Sequence, residues 1–227
     1  MMNGKAPNIG RPRNLRGGAG VAAVIAVLAG IYLFWGSNGN EQLTPVPLPE
    51  TSASEQSAAG PEVVTKALAT GNLAAFVVKP ERKPVAEFYF QDEAGKTRSI
   101  KEWRDRVVLV NLWATWCAPC RKEMPALAGL QKRYGSKDFE VVAVSVDREG
   151  AKAAGPFLDE TQSRALRLYV DPTSKSIELL SALGLPATVL IDRQGREIGR
   201  LLGPADWTSP EALRLISVAL NEASPGS

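Results

Sequence analysis

"VVLVNLWATWCAPCRKEMPAL", residues 107–127, joins two patterns end to end. Residues 107–113 are apolar nearly throughout, the composition of a strand covered on both faces. Residues 118–134, "APCRKEMPALAGLQKRY", have helical composition, with Pro119 in the first turn, where its missing N–H costs no hydrogen bond. A second continuous apolar run follows at 139–147, "FEVVAVSVD". Strand, helix and strand in that order predict a crossover and a parallel pair, and so an α/β sheet.

Around this unit the punctuation is of other kinds. "VAEFYFQ", "DEAGKT" and "RSI", from Val85 to Ile100, predict a strand, a Gly-containing turn and a returning strand, and "IKEWRDR" a short connecting helix. "ATVLIDRQGREIGRLLG", 187–203, predicts two strands about a tight "DRQG" turn, an antiparallel hairpin that makes the sheet mixed. "SPEALRLISVALNEA" closes the domain as a helix with Ser209 as N-cap, Pro210 at its first position and an apolar stripe at Leu213, Ile216, Val218 and Leu220. Ahead of the sheet, "PEVVTKALAT" predicts a helical turn with Pro61 at its start and Gly71 past its end. Between Asp147 and Leu185 the chain is about twice as long as a minimal crossover requires, and "GPFLDETQSRALRLYVDP" predicts an added helix and strand there.

The N-terminal region differs in kind. Residues 17–36, "GGAGVAAVIAVLAGIYLFWG", carry no charge and as a helix reach roughly 30 Å, the thickness of a bilayer's hydrocarbon core. Lys5, Arg11, Arg13 and Arg16 precede the run, and the first charges after it are Glu41 and Glu50. The expected layout is a cytoplasmic basic tail at 1–16, a transmembrane signal-anchor at 17–36, a Pro- and Ser-rich periplasmic tether at 37–60 and a folded domain at 61–227 with its core at about 85–222. The same run fits a cleaved secretory signal or, less well, a buried core helix; as anchor or signal it exports the domain. Of 27 basic residues, four lie in the tail, which leaves the exported part close to neutral against 24 acidic residues. The net charge of +3 therefore implies no nucleic-acid partner.

Cys117 and Cys120 are the only cysteines, and the chain has no histidine. Two thiolates without histidine cannot complete a tetrahedral zinc site. Covalent haem attachment needs a histidine after the second cysteine, where Arg121 stands. A structural disulfide across so short a loop constrains the unfolded chain little. Redox exchange remains. Cys117 falls where a buried strand gives way to a helix, and there the unpaired N–H groups and the macrodipole can lower a thiol pKa from ~8.5 toward ~7 or below. Cys117 is thus the expected accessible, attacking sulfur, with Cys120 one turn on, more buried, resolving the mixed disulfide. A Cu(I)-binding module stays open as a different class, although the chain has no His to complete its ligands. A peroxidase would need a cysteine in a separate setting, and there is no third.

"VVLVNLWATWCAPCRKEMPAL", "FEVVAVSVD" and "LGLPATVLIDRQGREIGRLLG" together resemble the thioredoxin superfamily and, within it, the TlpA-like membrane-anchored thiol:disulfide oxidoreductases, over roughly residues 85–222. The resemblance implies a thioredoxin fold, a mixed central sheet with helices on both faces and an inserted helix-strand element. It implies that Pro186 is cis and faces the dithiol, and that Leu185 offers backbone groups to a bound peptide. Glu123 matches the acid of the family's Cys-x-x-Cys-x-x-Glu pattern, which implies that it takes the proton of Cys120. Asn111 departs from ordinary thioredoxins, which carry a buried acid at that strand position. Trp113 is expected to pack and Trp116 to lie on the surface beside the motif, where it can touch a client.

By the same resemblance no cofactor is needed beyond the Cys117–Cys120 couple. The implied function is reduction of exported proteins in cytochrome biogenesis, the disulfide being restored by a membrane electron donor. The implied clients are copper-site oxidase subunits or copper chaperones, with apocytochrome c before haem attachment as the alternative.

Overall fold

The computed structural model describes residues 62–222, so the expected tail, membrane span and tether lie outside the described residues, as does Pro61. Among the described residues no helix is long and apolar enough to cross a membrane. Eight strands form one sheet in the order β1-β8-β7-β4-β5-β6-β2-β3. They are β1 (Val77–Val78), β2 (Tyr89–Asp92), β3 (Thr97–Ser99), β4 (Val107–Trp113), β5 (Phe139–Ser145), β6 (Tyr169–Val170), β7 (Ala187–Ile191) and β8 (Glu197–Leu202). β4–β5 and β5–β6 are parallel and the other pairs antiparallel, giving the mixed sheet that the hairpin at 187–203 predicts.

β4 and β5 are buried at every position, as strands covered on both faces must be. Their alternation divides the interior in two. Val107, Leu109 and Trp113 face the larger core, with Met124 and Leu127 of α1 (Ala118–Tyr134), Phe157 of α2 (Ala151–Glu160) and Leu215 of α4 (Pro210–Asn221). Val108, Val110 and Leu112 face a smaller core closed by aromatics rather than by a long helix. There Phe90 lies 5.1 Å from Tyr169 and 5.5 Å from Trp103 between ring centroids. The helices are thus unevenly shared: the long ones cover one face, and the other receives only the 3-10 turn at Ile100–Trp103 and part of α3 (Lys175–Leu179).

The inserted segment supplies the expected helix and strand, α2 and β6, and also α3, which the sequence did not announce. Asp171 organises that extra turn, accepting from Ser176 N at 2.8 Å and Thr173 N at 3.1 Å. Three other expectations are corrected. The helical turn before the sheet is two separate 3-10 turns, Lys66–Leu68 and Gly71–Leu73; β-branched Val63, Val64 and Thr65 disfavour an earlier start, and Gly71, at φ 52°, opens the second turn instead of closing the first. The first hairpin strand begins at Tyr89 rather than Val85, because Val85 N bonds Gly195 O across the sheet. In α4 the buried stripe includes Ala212, Leu215 and Ala219, with Leu213 and Leu220 only half-buried; small alanines let the helix approach closely there. Ser209 caps that helix as expected, accepting from Ala212 N at 3.3 Å.

The two ends of the described chain are tied by Arg82, which donates to Glu222 at 2.5 and 2.7 Å, while Val64 N reaches the same carboxylate. Beside this tie β1 rests on β8 at Gly199, where a Cβ would stand 2.5 Å from Cε1 of Phe76 and 2.7 Å from the Val77 carbonyl oxygen. Gly199→Ala is expected to lower stability by about 1–3 kcal/mol through overpacking. The expected readout is a lower denaturant midpoint at unchanged slope, and an unchanged midpoint would show that β1 is free to move off β8.

Candidate active site

β4 ends at Trp113 and four residues later the chain turns into α1. The intervening loop is pinned by Asp147, two residues beyond the end of β5. Its Oδ2 accepts from Thr115 N at 2.9 Å and Ser145 Oγ at 2.7 Å, and its Oδ1 from Thr115 Oγ1 at 2.7 Å. Cys117 N donates to Ala114 O at 3.1 Å, closing the turn. Cys117 is then the N-cap of α1, and its Sγ accepts from Cys120 N at 3.2 Å. An N–H aimed at the sulfur, with the positive end of a 17-residue helix behind it, favours negative charge on that atom.

The sulfurs are joined at 2.02 Å, so the pair is in its oxidised state. Cys117 keeps 5% of its surface and Cys120 none, the expected order. Both belong to the larger core, and Cys117 is less open than an accessible thiol was expected to be. The exposed apolar surface nearby in sequence is Trp116, 70% exposed, whereas Trp113 is buried and packs on Phe157 at 4.9 Å. Pro119 lies in the first turn of α1. The Leu185–Pro186 bond is cis, with Pro186 buried and Leu185 half-buried. A cleft of ≈ 550 Å³ runs from Thr115 and Trp116 past Arg148 to Ser174 and Ile177.

Glu123 sits one turn after Cys120 on the buried side of α1 and keeps only 2% of its surface. Asn111, on β4, donates from Nδ2 to its Oε2 at 3.4 Å and to Thr188 Oγ1, on β7, at 3.0 Å. Trp207 Nε1 and Ala205 N, from the loop between β8 and α4, donate to its Oε1. No lysine or arginine forms an ion pair with it among the described residues. Burial pushes its pKa up to about 7, and the hydrogen bonds from Trp207, Ala205 and Asn111 hold it from going higher. Such a group gains and loses a proton near neutrality, as a base for a thiol requires.

Two contributors escaped the sequence analysis. Asp147 was visible only as the end of a strand, and Trp207 lies 84 residues from the acid it touches. Neither has a local pattern that announces its role. Among the described residues no three His, Cys, Asp or Glu side chains gather as a metal site.

A dithiol couple at the N-terminus of a helix fed by a central strand of a mixed α/β sheet defines a thioredoxin-like thiol:disulfide oxidoreductase. The chain belongs to the AhpC/TSA family, matched over residues 82–196. It is 31% identical over 121 residues to the thiol-disulfide oxidoreductase ResA of Bacillus cereus (strain ZK / E33L), covering 53% of this chain and 69% of that one. To the thiol:disulfide interchange protein HelX of Rhodobacter capsulatus it is 38% identical over 99 residues, 44% of this chain and 53% of HelX. Among solved structures it is similar to one described as a thiol:disulfide interchange protein DsbE from Chlorobium tepidum, at 27% identity and a TM-score of 0.55, covering 63% of this chain and 99% of that chain.

The raised pKa of Glu123 has a consequence for stability. Unfolded, the carboxyl releases its proton near 4.5; folded, it holds it to about 7. Between those values the folded state binds more protons, so stability falls as pH rises through the window and stays reduced above it, by on the order of 3 kcal/mol. Glu123→Gln should abolish this fall. Denaturant midpoints of the oxidised protein from pH 4.5 to 8 should show the variant gaining on the wild type as pH rises, and parallel curves would mean that the acid ionises normally.

Proposed function

We propose that this protein is a membrane-anchored, periplasm-facing reductant of disulfides in exported proteins of cytochrome biogenesis. The apolar run at 17–36, preceded by four basic residues, supports one transmembrane signal-anchor in the bacterial inner membrane with the C-terminal domain outside. The tether at 37–60 then keeps the domain at high effective concentration near a membrane electron donor. The observation that carries the reading is the pairing of a helix-N-terminal Cys117 with a buried, near-neutral acid, Glu123, beside Cys120.

Reduced Cys117 attacks a client disulfide as the thiolate, forming a mixed disulfide and expelling one client thiolate. Glu123, ionised, takes the proton of Cys120. The Cys120 thiolate then attacks Sγ of Cys117, closing the intramolecular disulfide and expelling the second client thiolate, so that two electrons pass to the client. The donor later returns two electrons to the couple. Leu185, beside cis Pro186, offers the backbone groups against which a client strand aligns, and exposed Trp116 meets its side chains. The clients are copper-site oxidase subunits or copper chaperones.

Cys120→Ser in the full-length chain should accumulate mixed disulfides through Cys117, while Cys117→Ser should accumulate none. Recovery of oxidase subunits or copper chaperones in the trapped set supports the assignment, and recovery of apocytochrome c alone moves it to haem attachment. The reduction potential of the purified protein should lie near or below about −200 mV. Cu(I) held by Cys117 and Cys120 against a competing chelator would replace the reductase with a copper-delivery module.

A further inference from the structure

Glu123 is held from two sides, and the two sides are unequal. On the sheet side Asn111 divides its amide between Thr188 at 3.0 Å and Glu123 at 3.4 Å, the longer arm going to the carboxyl, and its own Oδ1 has no partner among the described residues. On the loop side Ala205 N is also 3.4 Å away, and Trp207 Nε1 donates to the same Oε1, the foremost of the hydrogen bonds that favour the ionised carboxylate. The indole has no freedom to leave. Trp207 is fully buried in the larger core, and its loop is braced at both ends: Gly203 N donates to Pro186 O at 2.9 Å, and Asp206 Oδ1 accepts from Thr208 N and Oγ1 at 2.9 and 2.6 Å.

We infer that Trp207 is a positioning residue for the dithiol reaction: its indole N–H holds one carboxyl oxygen of Glu123 and orients the group one helical turn from Cys120. The inference rests on Glu123 being the proton acceptor for Cys120. The chemical step is unchanged, the proton moving from Cys120 Sγ to the carboxylate as the Cys120 sulfur bonds to Cys117. Trp207 sets the pH at which the carboxylate is present to receive it. A buried carboxylate that loses a hydrogen-bond donor becomes a stronger base that is ionised only at higher pH. Among the described residues no other charged group is ion-paired with Glu123. β4 and β7 present neutral Asn111 and Thr188, and Cys120 lies one turn away on α1 itself. The charged side chains that line the ≈ 570 Å³ cleft beside Glu123 are Lys122 and Asp206, neither ion-paired to it. Asp206 is itself held acidic by its bonds to Thr208.

The direct test needs no variant of Trp207. In the oxidised full-length protein neither cysteine titrates, and the 1H–15N resonance of the Trp207 indole should shift with pH, with a midpoint near that of the Glu123 carboxyl, about 7. The Trp113 indole should stay still, and Glu123→Gln should erase the Trp207 shift. An indole signal that ignores pH in the wild type overturns the inference, whether or not any variant folds. Kinetically, the rate of mixed-disulfide resolution in Trp207→Phe should follow pH with a midpoint about one to two units more alkaline, with the wild-type rate approached at high pH. Damage to packing alone would lower the rate at all pH values alike. If Glu123→Gln keeps the wild-type pH profile, the role of Glu123 itself falls. If Glu123→Gln changes the profile while Trp207→Phe superposes on the wild type, only the role of Trp207 falls.

Discussion

Removing a carboxyl group from water is unfavourable unless polar partners converge on it, and Glu123 draws its partners from two separate parts of the chain. Asn111 reaches it from β4, Ala205 and Trp207 from the loop before α4, and Glu123 itself projects from α1. The helix that carries the dithiol is therefore fastened to the sheet and to the C-terminal segment through one side chain. Because all three donors are neutral, the fastening leaves the acid near neutrality instead of locking it as an anion. A lysine or arginine paired with the carboxylate would instead hold it as an anion and forfeit the proton exchange.

The other face of the sheet offers the contrast. Glu140 of β5 is as deeply buried, and it accepts from Trp103 Nε1 at 3.0 Å and Tyr169 OH at 2.9 Å while Arg106 pairs with it at 3.0 Å. Arg167 lies at 3.9 Å as a second cation, and the two cations and two donors make a closed set, so Glu140 fastens the 3-10 turn and β6 to β5. Its influence is felt on Tyr169, whose pKa burial, first, and this neighbouring carboxylate push up to about 12. Two buried acids on opposite faces thus serve different ends. What separates them is the presence or absence of a cation, not the depth of burial.

Much of this arrangement is legible in the sequence because it is periodic or local. The apolar runs at 107–113 and 139–145 return as β4 and β5, the helix at 118–134 keeps its bounds, and the Ser209 cap and the "DRQG" turn are local signals that tertiary packing had no reason to override. Cys117 could be placed because a buried strand gives way to a helix there, and Glu123 because it matches the acid of the Cys-x-x-Cys-x-x-Glu pattern of the family the sequence resembles. Trp207 and Asp147 could not. Each acts on a residue 32 or more positions away, and a tryptophan in "PADWTS" looks the same whether its indole binds an acid or merely fills space. The misplaced stripe of α4 has a related cause: its facing residues include Ala212 and Ala219, whose small size reads as neutral in a pattern weighted by leucine.

Asn111 explains why the acid stands on the helix and not on the strand. Its Nδ2 is already 3.4 Å from Glu123 Oε2, so an aspartate at 111 would set two carboxyls in contact within the same dry site. Like charges so close do not ionise together; one pKa rises steeply and the pair would share a single proton. With a neutral amide on β4, one group only can accept the proton of Cys120, and its ionisation answers to a single set of donors.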